Sequence, residues 1–137
     1  MRFYVLDANA VIRYLTKGPG GVGRLDKLFA QVQRGDAHLL ISVVNRGEAL
    51  YNLAKRAGML EADRALRTLA HFIEAVDVTE DQATGAATLK FVYKLGFADC
   101  FAANLAIKRG ATLVTADPDF AKLGKQLKIL ALPRHSA

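Results

Sequence analysis

The side chains in this sequence best placed to do chemistry are acidic: Asp7, Glu48, Asp99, Asp117 and Asp119. Three of them fall in one stretch, FADCFAANLAIKRGATLVTADPDF, from Phe97 to Phe120. Carboxylates that converge repel, and each raises its neighbours' pKa unless a cation sits among them. All-oxygen donors select hard Mg²⁺ or Mn²⁺. Such ions hydrolyse phosphodiesters by clamping the phosphate, lowering the pKa of an attacking water and stabilising the leaving oxygen. Each aspartate also has a plain structural use as a helix cap or turn residue, and Glu48 as a solvated helix surface. Capping does not explain why Asp7 and Asp117 leave the ends of apolar strands while Asp99 opens the helix that feeds one of them. Other chemistries are poorly supplied. His38, His71 and His135 show no paired metal-ligand spacing, which disfavours zinc. Ser42, Thr115 and Cys100 lack a neighbouring histidine that would activate a nucleophile.

The elements that must position these groups can be read from periodicity. Arg2 to Leu6 (RFYVL) reads as a central strand ending on Asp7, which then caps a helix running through Tyr14 and Leu15. Lys17 to Gly21 is a breaker-rich loop. Leu25, Leu28, Phe29 and Val32 mark the next helix, stopped near Gly35, and His38 to Val43 a buried strand. Ser42 caps a helix from Val43 to Arg56 with the apolar stripe Val43, Val44, Leu50, Tyr51 and Ala54, and Glu48 lies at its border. After Gly58, Glu61 to Ile73 reads as a helix with Phe72 and Ile73 inward, and Ala75 to Val78 as a strand. Thr79 with Gln82 forms a capping box for a helix to Lys94, in which Gly85 is a soft spot. Asp99 to Arg109 is a helix with Asp99 as its N-cap and Gly110 as its stop, and Cys100 in it is half-buried and reduced. Ala111 to Thr115 is a buried strand, Asp117-Pro118-Asp119 a turn, and Ile129 to Leu132 an edge strand stopped by Pro133.

Short strands alternating with helices imply an α/β domain, its mainly parallel central sheet of about four to five strands flanked by helices on both faces. One domain is expected over residues 1–133, with residues 134–137 a frayed tail. A lone cysteine excludes an internal disulfide. Asp7 interrupts the N-terminal apolar run before a signal-peptide core forms, and no later run reaches membrane-spanning length, so a soluble cytoplasmic protein is expected. Nineteen Lys and Arg against 13 Asp and Glu give a net charge of +6, which favours a polyanionic partner. Setting the five site carboxylates aside leaves 19 basic against 8 acidic side chains.

Four segments, in order, resemble a known family: LDANAVI (Leu6 to Ile12), SVVNRGEAL (Ser42 to Leu50), ADCFAANLA (Ala98 to Ala106) and LVTADPDF (Leu113 to Phe120). The chain looks like a PIN-domain ribonuclease of the VapC type, the toxin of bacterial and archaeal toxin–antitoxin pairs. The resemblance implies a PIN-like fold and an acidic quartet of Asp7, Glu48, Asp99 and Asp117, with Asp119 an auxiliary carboxylate. Asn9 and Thr115 would support the quartet by hydrogen bonds. It further implies Mg²⁺- or Mn²⁺-dependent cleavage of RNA, single-stranded or structured and with tRNA among the candidates, together with homodimers and inhibition by an antitoxin protein. Cys100 and Asn104 stand where the family more often has small apolar residues. Arg13, Arg46 and Lys55 share helices with proposed ligands and are candidates for binding the RNA backbone.

Three other readings compete. A haloacid-dehalogenase-like phosphatase needs a second aspartate two residues after the first, where this chain has Asn9; a phosphate-receiver domain needs a lysine just beyond a late strand, where it has Thr115-Ala116-Asp117. A non-catalytic basic RNA-binding module would use its carboxylates only as caps.

Overall fold

The apolar runs form five strands, β1 (Arg2–Leu6), β2 (Ala37–Ser42), β3 (Ile73–Val76), β4 (Thr112–Thr115) and β5 (Lys128–Ala131), in a computed structural model that describes residues 1–17 and 22–133. Their order is β3-β2-β1-β4-β5, and every neighbouring pair is parallel. The interleaved helices are α1 (Ala8–Thr16), α2 (Val22–Gln33), α3 (Val43–Ala57), α4 (Met59–Leu69), α5 (Glu80–Tyr93) and α6 (Phe97–Arg109), followed by a 3-10 segment, Pro118–Gln126. Parallel strands need crossovers, and the crossovers cover both faces of the sheet. Side-chain alternation divides β1 between two cores. Tyr4 and Leu6 pack with Leu39, Ile41, Leu25 and Leu66 on one face, while Val5 packs with Leu40, Leu113, Phe101 and Leu105 on the other.

Several boundaries differ from those the sequence implies. The predicted helix Glu61 to Ile73 is α4, which begins at Met59 directly after Gly58 and gives way to a turn through His71 and Phe72. Ile73 opens β3 opposite Leu39, so the strand expected at Ala75 to Val78 starts two residues earlier. No Gly or Pro punctuates this turn, and pairing with β2 decides it. Gly58 takes φ +86°, which lets one residue close α3 and start α4. Cys100 is fully buried rather than half-buried. The capping box at Thr79 and Gln82 is present with both bonds. Gly85, read as a soft spot, is a packing requirement: a Cβ there would stand 2.3 Å from the buried Asn104 Oδ1. The tail 134–137 and the loop residues 18–21 lie outside the described residues.

The inward side of α3 also differs. Its buried residues are Asn45, Ala49 and Leu53, at i, i+4 and i+8, whereas Tyr51 is exposed. Asn45 belongs to this stripe because its amide Nδ2 donates to the Ala98 carbonyl at 3.0 Å, tying α3 to the first turn of α6.

Candidate active site

The strand order puts β1 and β4 side by side although the chain builds the sheet outward from β1 through β2 and β3 first. Crossovers leaving such a switch point diverge and open a crevice beyond the carboxyl ends of the strands. Asp7 follows β1 immediately, and Asp117 lies two residues beyond Thr115, the end of β4. A cavity of about 680 Å³ occupies the crevice, and Asp7, Glu48, Asp99 and Asp117 all line it.

Hydrogen bonds lock the two strand tips together. Asp7 Oδ1 accepts the Ala10 N–H at 2.8 Å as the cap of α1, and its Oδ2 accepts the Thr115 hydroxyl. Thr115 Oγ1 in turn accepts the Asp117 N–H at 3.0 Å, and Asp117 Oδ1 accepts the Asp119 N–H at 2.9 Å. Asp99 is placed differently. It was expected to cap α6, but the cap position is Gly96, and Asp99 sits in the first turn with Oδ2 3.0 Å from the point a Cβ on Gly96 would occupy. Gly96 leaves that carboxylate room. Glu48 enters from α3, one turn after Asn45, so the Asn45–Ala98 bond sets the spacing between the helices bearing Glu48 and Asp99.

The charges in this crevice are costly. Burial pushes Asp7 up to about 6; its bonds to Thr115 and Ala10 pull the other way, and the fields of Asp117 and Glu48 add to the rise. Asp99 is likewise raised to about 6, by burial first and then by Asp7, Glu48, Asp117 and Asp119. Among the described residues no ion pair joins any of these carboxylates to a Lys or Arg. Nor does any group of three or more His, Cys, Asp or Glu form a ready-made metal site among them. The donor chemistry and the mutual repulsion therefore fit a hard divalent cation, without a preformed coordination shell.

The remaining sequence candidates divide. Asn9, Arg13 and Lys55 line the cavity. Asn9 Oδ1 accepts the Arg13 Nε–H at 2.9 Å, and Arg13 Nη1 donates to the Pro133 carbonyl. Arg46 lines a separate cleft with Val11, Ile41 and Leu66. Thr115 and Asp119 act on the cavity from behind, Thr115 through its bonds and Asp119 through its field. Asn45, Asn52 and Arg56 are not among the residues the sequence singles out. Asn52 and Arg56 line the cavity, and their i+4 and i+8 spacing from Glu48 was the available signal.

A family model, the PIN domain, matches residues 4–126. The chain belongs to the PIN domain family. Solved structures with the same fold include a VapBC complex of Rickettsia felis bound to a DNA fragment from its promoter, at 20% identity and TM-score 0.76, covering 95% of this chain and 98% of that one. A DNA-bound VapBC of Salmonella typhimurium gives 18% identity, TM-score 0.77 and coverage of 96% and 98%. A sarcin–ricin-loop-cleaving VapC toxin of Mycobacterium tuberculosis gives 20% identity, TM-score 0.70 and coverage of 88% and 95%. No curated protein matches by sequence. In this PIN domain no described helix is long and apolar enough to cross a membrane.

Proposed function

We propose that this PIN domain is a divalent-metal-dependent endoribonuclease, the VapC-type toxin of a toxin–antitoxin pair. Asp99 is the observation that carries the reading. Helix capping accounts for Asp7 and Asp117, which do cap their segments, but Asp99 makes no cap bond and still sits among four other carboxylates. That leaves the caps-only RNA-binding module without an explanation for its position. The phosphatase alternative fails at Asn9, an amide bonded to Arg13 where a general acid is required.

Asp7, Glu48, Asp99 and Asp117 would hold Mg²⁺ or Mn²⁺, with Asp119 auxiliary. When bound, the ion polarises the phosphate and lowers the pKa of a water. The chain's own residues do the rest. The Thr115 hydroxyl, donating to Asp7 Oδ2, leaves that carboxylate's other oxygen on the α1 cap and fixes its rotamer. Asn45 ties α3 to the first turn of α6, and the cavity between them is lined by Glu48 from one helix and Asp99 from the other. Lys55 and Arg56 at the cavity's rim offset the acidic pocket toward a polyanion. A homodimer and an antitoxin that sets an Arg against Asp7, Asp99 or Asp117 complete the reading, since bidentate Arg–carboxylate pairing would neutralise the pocket. Several of the like-folded structures are VapBC complexes.

A fluorogenic RNA assay tests the proposal. Purified protein should cleave with Mg²⁺ or Mn²⁺ and stop with chelator; cleavage that persists in chelator rejects it.

A further inference from the structure

The chain has four tyrosines, and the structure gives three of them other employment. Tyr4 is buried in the core. Tyr14 stacks on Phe29 with ring centroids 4.3 Å apart, and the Tyr93 hydroxyl accepts from Gln126 at 2.6 Å. Tyr51 alone is well exposed, at 62%, and it stands on α3 one turn past Glu48. The Lys55 ammonium lies 4.7 Å over its ring, and Lys55 lines the carboxylate cavity together with Asn52 and Arg56.

α3 therefore presents a graded path. Glu48 stands at its acidic end, and Lys55 and Arg56 follow at i+7 and i+8, roughly 10 Å along the axis at the helical rise. Tyr51 is not part of the cavity lining but stands between Glu48 and Lys55 on the same helix, with one ring face against the Lys55 ammonium. We propose that Tyr51 is a stacking platform for a base of single-stranded RNA next to the cleaved bond, with Lys55 and Arg56 taking the adjoining phosphates. This rests on the ribonuclease reading, and it adds the strand's path and a base-binding position. Aromatic stacking beside a cationic groove is how single strands are held without regard to sequence, because every base has a π-face.

The test uses fluorescein-labelled adenosine and uridine dodecamers. Anisotropy in the Asp99→Asn background reads binding without turnover, and steady-state cleavage by the otherwise wild-type chain reads KM and kcat separately. Tyr51→Ala should weaken binding and raise KM by about tenfold or more, with kcat far less affected, and Tyr51→Phe should restore both because the ring carries the effect. Phe91→Ala, an exposed aromatic on α5 away from the cavity, is the control. Equal binding by Tyr51→Ala and its parent overturns the proposal, as does a Tyr51→Phe variant as weak as Tyr51→Ala. A Tyr51→Ala change confined to the oligomeric mass also overturns it, by assigning this face to a protein contact. If the chain fails to cleave while binding still depends on the Tyr51 ring, the platform stands and the ribonuclease reading falls.

Discussion

The sheet carries a cleft lined by titratable groups at each end, and the two clefts treat charge in opposite ways. At the amino end, a cleft of about 390 Å³ holds His38 and Glu74, which bond each other at 2.8 Å with both side chains partly in solvent. Phe3 stacks on His38 there. At the carboxyl end, the larger cavity gathers carboxylates with no basic partner among the described residues, and burial and mutual repulsion raise two of them. An exposed, hydrogen-bonded pair of this kind is what sheet ends ordinarily carry and contributes little. Uncompensated charge clustered in a crevice costs stability, and such cost persists where function requires it.

The largest expected difference between the two ends lies in cleavage. Asp99→Asn should reduce kcat/KM for RNA by about 10²- to 10⁴-fold, while His38→Ala leaves it unchanged, as measured with a fluorogenic oligonucleotide. Comparable losses from the two variants would erase the distinction.

A second break comes through α3. Asn45→Ala removes the amide that holds Ala98, so Asp99 is free to shift by a fraction of a turn and cleavage should fall by up to about 10²-fold. Thermal unfolding should show a loss of only about 1 kcal/mol, the worth of one hydrogen bond, so activity should fall far more than stability.

Acid sharpens the comparison. Folded Asp7 keeps its proton up to about pH 6, whereas an ordinary solvated aspartate releases it near 3.8. Between those values the folded state binds more protons, so stability rises as pH falls from 7 through 6 and levels off below about 4. Asp7 should contribute on the order of 1 kcal/mol between pH 7 and pH 5, and Asp99 adds in the same direction. Melting in chelator should rise accordingly as pH is lowered, and saturating Mg²⁺ should flatten the dependence. A metal-free protein that is less stable at pH 5 than at pH 7 would contradict the repulsion.

The smallest effect belongs to the amino end. Glu74→Gln breaks an exposed pair and should change unfolding free energy by no more than about 1 kcal/mol, as read from urea titration.

Much of this was legible without coordinates. The alternation of strand and helix, the caps at Asp7, Ser42 and Thr79, and the strand ends at Asp7 and Asp117 all follow from local rules, because apolar period and capping involve residues near one another in the chain. The turn at His71 and Phe72 was not legible, since nothing local marks it and pairing between Ile73 and Leu39 decides it. Tyr51 and Asn45 traded places for a similar reason. Hydropathy put the tyrosine inside and overlooked the amide, but Ala98, more than fifty residues away, supplied the partner that let Asn45 be buried.

By itself, then, the sequence determined which side chains were available and which strand or helix each would ride on, because those choices turn on interactions within a few residues. Only the tertiary structure decided that the carboxylates share one cavity, that Asp99 is not a cap, that Arg46 faces another cleft and that Tyr51 stands beside Lys55. These depend on strand order and helix packing, set by contacts between residues tens of positions apart, which no local period encodes.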